Sequence, residues 1–267
     1  MIGEDLLDLG GQVAFVTGAG QGAGRGIALM LARHNAGGVA VNDFVIERAE
    51  AVAAEIRGLG VPALAVQADV GDLSAVRAKV AEVRETLGPV TLLVNNAGNA
   101  GPATQISFDP PFWETDPDTW DKYFRTNLFG VMNCCHAAIP GMVEAGRGRI
   151  VTIVSDAGRV GEPYLAAYSG AKAGAAGFMR SIARETSRYN ITANCISLST
   201  LEPPLEPAQM EAYMATERSK RAFARYIVRR PGKPDEVAAM ALFLCSDAAS
   251  WISGQTYPVN GGYSLAT

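Results

Sequence analysis

The chain has 267 residues, of which 48% are hydrophobic and 19% charged, with a formal net charge of −4. That length buries a sizeable core without staples, that composition argues against disorder, and the slightly acidic balance offers no general footprint for nucleic acid or anionic lipid. Glycine is the outlier at 29 residues, and without a collagen-like period its excess belongs at turns, close packings or ligand loops.

The start, MIGEDLLDLGGQ, is acidic and lacks the positive and apolar regions of a secretory signal, and no apolar run reaches the roughly 18 residues of a membrane span. Cys134 and Cys135 are adjacent, Cys195 and Cys245 distant, so no disulfide framework is spelled out. The expectation is a soluble, cytoplasmic protein with reduced cysteines.

Short runs rich in Val, Ile and Leu recur along the chain: VAFVTG from Val13, VAVND from Val39, ALAVQAD from Ala63, TLLVNNAG from Thr91, RIVTIVS from Arg149 and ITANCIS from Ile191. They are continuously apolar rather than alternating, as strands are when helices cover both faces of a parallel sheet. Between them lie segments such as GIALMLARH, IERAEAVAAEIRGLG and SAVRAKVAEVRETLG with apolar residues at helical spacing. This alternation predicts a doubly wound α/β fold of Rossmann type, a parallel sheet of about seven strands, in a single domain spanning residues 1–267. Two stretches interrupt the rhythm, 99–118 with the aromatics of FDPPFW and 199–230 opening with LEPPLEP. Both follow carboxyl ends of strands, where open α/β sheets place ligands, and both are candidate substrate covers.

Directly after the first strand comes TGAGQGAG, Thr17 to Gly24, leading into a helix. Gly18, Gly20, Gly22 and Gly24, with Gln21 and Ala23 between them, allow close backbone approach, and the helix start beyond offers free N–H groups to a pyrophosphate. Alone, such a loop is also consistent with an ordinary tight turn. The second strand, however, ends in Asn42-Asp43, and the Asp43 carboxylate at that place can accept from ribose hydroxyls while repelling a 2′-phosphate. With no Arg or Lys in the loop or directly after Asp43, the reading is NAD rather than NADP. Asp69-Val70 closes the third strand and Asn95-Asn96-Ala97-Gly98 the fourth, again at the carboxyl edge.

After RIVTIVS, ending at Ser155, comes AAYSGAKAGAAGF, with Tyr168 and Lys172 in a Tyr-x-x-x-Lys pattern. On a helix the two side chains share a face, so the ammonium can favour the ionised phenol. A tyrosine near pKa 10 is a poor base until a cation or similar device brings it closer to neutrality. Taken alone, this spacing also fits a solvated helix face.

Together these residues resemble the short-chain dehydrogenase/reductase family over essentially the whole chain: the Thr17 to Gly24 loop, Asp43, the NNAG at Asn95 to Gly98, Asn127 in TNLFG, Ser155, Tyr168 and Lys172. RRPGKPDEVA near Pro231 and SGQTYPVNGG at the C-terminus resemble the family's last helix and strand. The resemblance implies an oxidoreductase that interconverts a secondary alcohol and a ketone with a nicotinamide cofactor. It assigns Tyr168 as general acid/base, Ser155 as the group holding the reacting oxygen, Lys172 as partner of Tyr168 and of the nicotinamide ribose, and Asn127 as a residue orienting a water beside Lys172. It assigns the glycine loop to the pyrophosphate, Asp69 and Val70 to the adenine, Asn96 with Ala97 and Gly98 to the adenosine-side ribose or nearby backbone, and Leu201 to backbone contact with the carboxamide. The family commonly forms tetramers through two long helices, here Trp120 to Glu144 and Ala166 to Tyr189, so a homotetramer is implied.

The chain departs from the family where a Pro-Gly usually follows the strand ending near Ile196: the stretch reads Leu198-Ser199-Thr200-Leu201-Glu202-Pro203. An insertion carrying Phe108, Pro110, Pro111, Phe112 and Trp113 shapes the substrate pocket or forms a surface loop anchored by aromatics. His136 reads as packed rather than metal-bound, and no metal is expected. The basic stretch Arg218 to Arg230 reads as a solvated helix, or as an attractor of an anionic substrate such as a coenzyme A thioester. The rival functions are an NADPH-dependent reductase of 3-oxoacyl thioesters and a non-catalytic nucleotide-binding scaffold. Neither nucleic acid nor membrane is an expected partner.

Overall fold

The computed structural model describes residues 5–98 and 110–265. Seven strands, β1 (Val13–Val16), β2 (Gly38–Asp43), β3 (Ala63–Gln67), β4 (Val90–Asn95), β5 (Gly148–Ser155), β6 (Ile191–Leu198) and β7 (Thr256–Val259), form one sheet in the order β3-β2-β1-β4-β5-β6-β7. Every pairing is parallel. Six of them begin within a residue of the apolar runs read from the sequence, and the seventh lies in the SGQTYPVNGG segment.

Helices α1 (Gly22–Arg33), α2 (Ile46–Gly58) and α3 (Leu73–Thr86) connect the first four strands. A one-turn α4 (Asp121–Phe124) runs through a π-helical turn, Arg125–Phe129, into α5 (Gly130–Ala145). A one-turn α6 (Ala157–Val160) precedes the long α7 (Ala166–Glu185), and α8 (Pro207–Ala215), α9 (Glu217–Phe223) and α10 (Pro234–Cys245) follow β6.

Two apolar layers sandwich the sheet. Ala14 and Val16 of β1 face a cluster with Ile27 and Leu31 of α1, Val52 and Ile56 of α2, and Val237 and Leu242 of α10. Val13 and Phe15 point the other way, toward Val76 and Val83 of α3, Val131 and Met142 of α5, and Met179 and Ile182 of α7. Burial of both strand faces is why the runs are continuously apolar. The order reverses between β1 and β4, so the chain leaves their carboxyl ends in opposite directions and opens a crevice.

The proposed cover at 99–118 lies outside the described residues as far as 109, Phe108 included. From Pro110 the chain makes short 3₁₀ turns, Phe112 stacks on Trp120 at 5.0 Å between ring centroids, and Trp113 is exposed. The helix expected over Trp120 to Glu144 is interrupted by the π turn, a wider coil that 3.6-residue periodicity cannot reveal. Among the described residues no helix is long and apolar enough to cross a membrane.

Candidate active site

The crevice holds a cleft of about 400 Å³ lined by the carboxyl ends of β1 to β6. Its floor is the glycine loop. Gly18 and Gly22 have φ of +59° and +55°, a conformation that side chains other than glycine's rarely adopt. A Cβ on Gly24 would stand 2.2 Å from Gly18 O and 2.4 Å from Asn96 Nδ2, so the loop folds tightly onto β4. Asn96 is the clamp: its Nδ2 donates to Thr17 O and Gly18 O, both at 2.9 Å. Gln21 leads into α1 without a side-chain cap, and the first turn of α1 holds no acidic residue, which leaves its amide groups for an anion.

Asp43 is buried at the end of β2, its carboxylate fixed by Gly20 N on Oδ2 and Val45 N on Oδ1, each at 3.0 Å. Gly20 itself does not line the cleft. A Cβ there would lie 2.7 Å from Asp43 Oδ2, so a glycine at 20 lets the Asp43 carboxylate seat against the loop backbone. Asp69 and Val70 line the neighbouring wall, where Asp69 pairs with Arg125 at 3.0 Å.

At the opposite end Ser155, Tyr168 and Lys172 line the cleft, brought from β5 and α7. Lys172 is buried and donates to Ile153 O at 2.9 Å, and its Nζ lies 5.9 Å from the Tyr168 ring centroid. Burial pulls its ammonium down to about 8. Burial also pushes the Tyr168 phenol above its ordinary value, and a hydrogen bond with Ser155 acts the other way. This differs from the expectation that Lys172 lowers the phenol: in the protein alone the ammonium is turned to a backbone carbonyl, and desolvation prevails.

Asn127 is fully buried in the π turn and does not line the cleft. Its Nδ2 donates to Tyr123 O at 2.9 Å. A Cβ placed on Gly98 would lie 3.2 Å from both Asn127 Oδ1 and Lys172 Nζ, which puts the two groups at one spot behind the strand end. Gly18, Gln21, Gly22, Ala23, Gly24, Asn96, Ala97, Gly98 and Leu201 all line the cleft as expected.

Sequence reading missed several lining residues. Asn42, Ala68, Ile153, Val154 and Leu198 sit at strand ends and follow from the rule that ligands bind there. Phe44, Arg48, Thr126 and Ser199 do not: Arg48 reaches the cleft from the first turn of α2, and Thr126 from the π turn. Outside the cleft, His136 lies 3.4 and 3.5 Å from Arg77 Nη2 through its two ring nitrogens, and burial holds all four cysteine thiols above their ordinary range.

The donor set fits a dinucleotide. Glycines and free helix amides suit a pyrophosphate, an anchored carboxylate suits a ribose at one end, and a hydroxyl, a phenol and an ammonium gather at the other.

Comparison with known proteins agrees. Residues 18–264 match the family model described as enoyl-(acyl carrier protein) reductase. The chain is 38% identical over 250 residues to 3-oxoacyl-[acyl-carrier-protein] reductase FabG of Staphylococcus aureus, covering 93% of this chain and 96% of that one. It is 34% identical over 262 residues to 7alpha-hydroxysteroid dehydrogenase of Escherichia coli, covering 98% of each. Among solved structures, a 7 alpha-hydroxysteroid dehydrogenase complexed with NADH and 7-oxo glycochenodeoxycholic acid superposes with a TM-score of 0.85 at 33% identity over 98% of both chains. A gluconate 5-dehydrogenase from Burkholderia cenocepacia in complex with NADP and tartrate gives 0.85 at 31% identity, over 98% of this chain and 100% of that one. With its seven-stranded parallel sheet and matching relatives along nearly its full length, the chain belongs to the short-chain dehydrogenase/reductase family of oxidoreductases.

Proposed function

We propose that this oxidoreductase uses NAD to interconvert a secondary alcohol and a ketone, with the whole chain acting as one cofactor-binding domain. The observation that carries the cofactor choice is Asp43, a buried carboxylate held by two backbone amides at the distal end of the cleft. It accepts from a ribose 2′-hydroxyl and opposes a 2′-phosphate by like charge.

In the oxidative direction the ionised form of Tyr168 would take the substrate O–H proton on Oη as the C=O bond forms and the carbinol C–H pair leaves as hydride, with Ser155 hydrogen-bonded to the same oxygen; in reduction the phenol would return the proton. The bound nicotinamide supplies the hydride acceptor or donor. Lys172 would hold the nicotinamide ribose, and Asn127, whose Oδ1 meets the same spot as Lys172 Nζ, would orient a water beside it. Steady-state turnover with NAD and with NADP tests the reading: kcat/KM favours NAD by at least about tenfold, and a clear preference for NADP overturns it.

A second reading has its own support. The Staphylococcus relative is a 3-oxoacyl-[acyl-carrier-protein] reductase, and Arg48, which makes no ion pair among the described residues, lines the cleft beside Asp43. An NADPH-dependent 3-oxoacyl-thioester reductase would place the 2′-phosphate against that guanidinium. The same cofactor comparison, run in reduction with a 3-oxoacyl thioester, decides between the two.

A homotetramer belongs to the same proposal. Phe129 and Met132 are exposed where the π turn passes into α5, an apolar surface suited to a second copy. Light scattering after size exclusion reads the mass, and a monomer at micromolar concentration overturns the assembly.

A further inference from the structure

We infer that Tyr226 is a positioning residue for the nicotinamide end of the cleft, taking over the task of the missing Pro-Gly turn after β6. The inference rests on the reading that this cleft binds a nicotinamide dinucleotide.

The stretch Leu198-Ser199-Thr200-Leu201 forms the wall beyond Ser155, and Leu198, Ser199 and Leu201 line the cleft. A Pro-Gly pair would restrict such a turn through its backbone; Leu198-Ser199, which stands in its place, has no such restraint. Instead the segment is tied from outside. Ser199 Oγ lies 2.5 Å from the Tyr226 hydroxyl, which donates to Thr200 Oγ1 at 3.1 Å and accepts from Thr200 N at 3.4 Å. One phenol oxygen therefore engages Ser199, the second of the two residues that stand in place of the Pro-Gly, and Thr200 directly after it.

Tyr226 is itself immobilised. It is buried, its ring packs against Phe223 at 5.4 Å and Tyr263 at 5.0 Å, and two residues on, Val228 N donates to Gly261 O. Phe223 ends α9, so the clamp also joins the α8–α9 segment to the cleft wall. On the far side, Gly232 N donates to Thr200 O and Glu202 N to Gly232 O, which leaves the Ser199 side dependent on Tyr226. A buried hydroxyl that satisfies three polar groups of one turn holds that turn more strongly than its ring packing alone would.

The test compares binding of the preferred dinucleotide with binding of its fragment lacking nicotinamide, ADP-ribose or 2′-phospho-ADP-ribose, by calorimetry. Tyr226→Phe keeps the ring and removes the oxygen. Dinucleotide affinity falls about fivefold to twentyfold, as expected for one or two neutral hydrogen bonds, while the fragment changes less than about twofold. Ser199→Ala gives the same split, and the double variant loses no more than the larger single loss, because both changes break one linkage. Equal weakening of dinucleotide and fragment, no weakening of either, or additive losses overturns the inference alone. If the unmodified chain binds neither dinucleotide, the proposed function falls and this inference with it.

Discussion

In the proposed mechanism Tyr168 carries the proton, and Lys172 does not need to touch it directly to matter. Tyr168→Phe removes the proton carrier without disturbing the edge-to-face contact of its ring with Tyr123 at 6.2 Å. The expected loss in kcat is about 10²- to 10⁴-fold, with dinucleotide affinity by calorimetry changed little. Lys172 leaves a mark on stability. Its ammonium is depressed to about 8 by burial, so the unfolded chain, with an ordinary lysine near 10.5, binds the proton more readily across that window. Stability contributed at this site therefore rises as pH climbs from about 8 to about 10.5, by on the order of 3 kcal/mol at most. Urea unfolding of the wild type against Lys172→Met across this range reads it: the wild type gains on the variant with rising pH, and a constant gap contradicts the assignment. At the distal end, Asp43→Ser removes the fixed charge facing the 2′ position. The expected outcome is a shift in the NAD to NADP ratio of kcat/KM toward NADP by about tenfold or more, with Arg48 then a cation lining the same part of the cleft.

The π turn between α4 and α5 is the element that joins the two halves of the cleft. Its first residue, Arg125, pairs with Asp69 at the end of the cleft toward β3; Thr126 lines the cleft; Asn127 points to the spot beside Lys172. A wider turn of helix lets adjacent residues face partners that a regular coil would set apart, and such turns concentrate at functional sites. Where the turn passes into α5, Gly130 packs against Val70, and a Cβ there would stand 2.6 Å from Val70 Cγ2. Val70 is β-branched and cannot swing aside cheaply. Gly130→Ala is expected to cost about 1 to 3 kcal/mol by thermal unfolding and to weaken ADP-ribose binding as well as dinucleotide binding. That pattern differs from the one expected for Tyr226→Phe, which spares the fragment.

At the scale of the molecule, a buried carboxylate ties the C-terminal loop to the catalytic strand. Asp156, next to Ser155, accepts from Ser197 Oγ at 2.6 Å on β6, from Asn260 Nδ2 at 2.6 Å beyond β7, and from Arg159 at 3.2 Å. Asn260 also reaches Ser264 O and Oγ. Three segments far apart in the sequence thus converge on one group directly behind the reacting end. Asn260→Ala leaves the charge under-satisfied in the interior, and a loss of about 2 to 4 kcal/mol is expected, read as a lower Tm accompanied by reduced kcat. A variant with unchanged Tm would show that the network is not holding the loop.

Strand identity, the parallel sheet and the order of chemical positions were legible in the chain itself. Continuous apolar runs of strand length can be buried on both faces only by flanking helices, and polar or glycine residues at their ends must emerge at the carboxyl edge. That is why Asp43, Asp69, Asn96, Ser155 and the Tyr168–Lys172 pair could be named from spacing and resemblance, and why all six line the same cleft. What only the tertiary structure decided involves residues distant in sequence or irregular in geometry. Gly20 contacts Asp43, Asn127 is a buried neighbour of Lys172 inside a π turn, and Arg48 is a cation lining the cleft near Asp43. Tyr226, unremarkable in a basic stretch, became the clamp on Ser199 and Thr200. Local pattern records which face of an element is buried; it carries no record of which side chains from other elements arrive there, and that is set by packing.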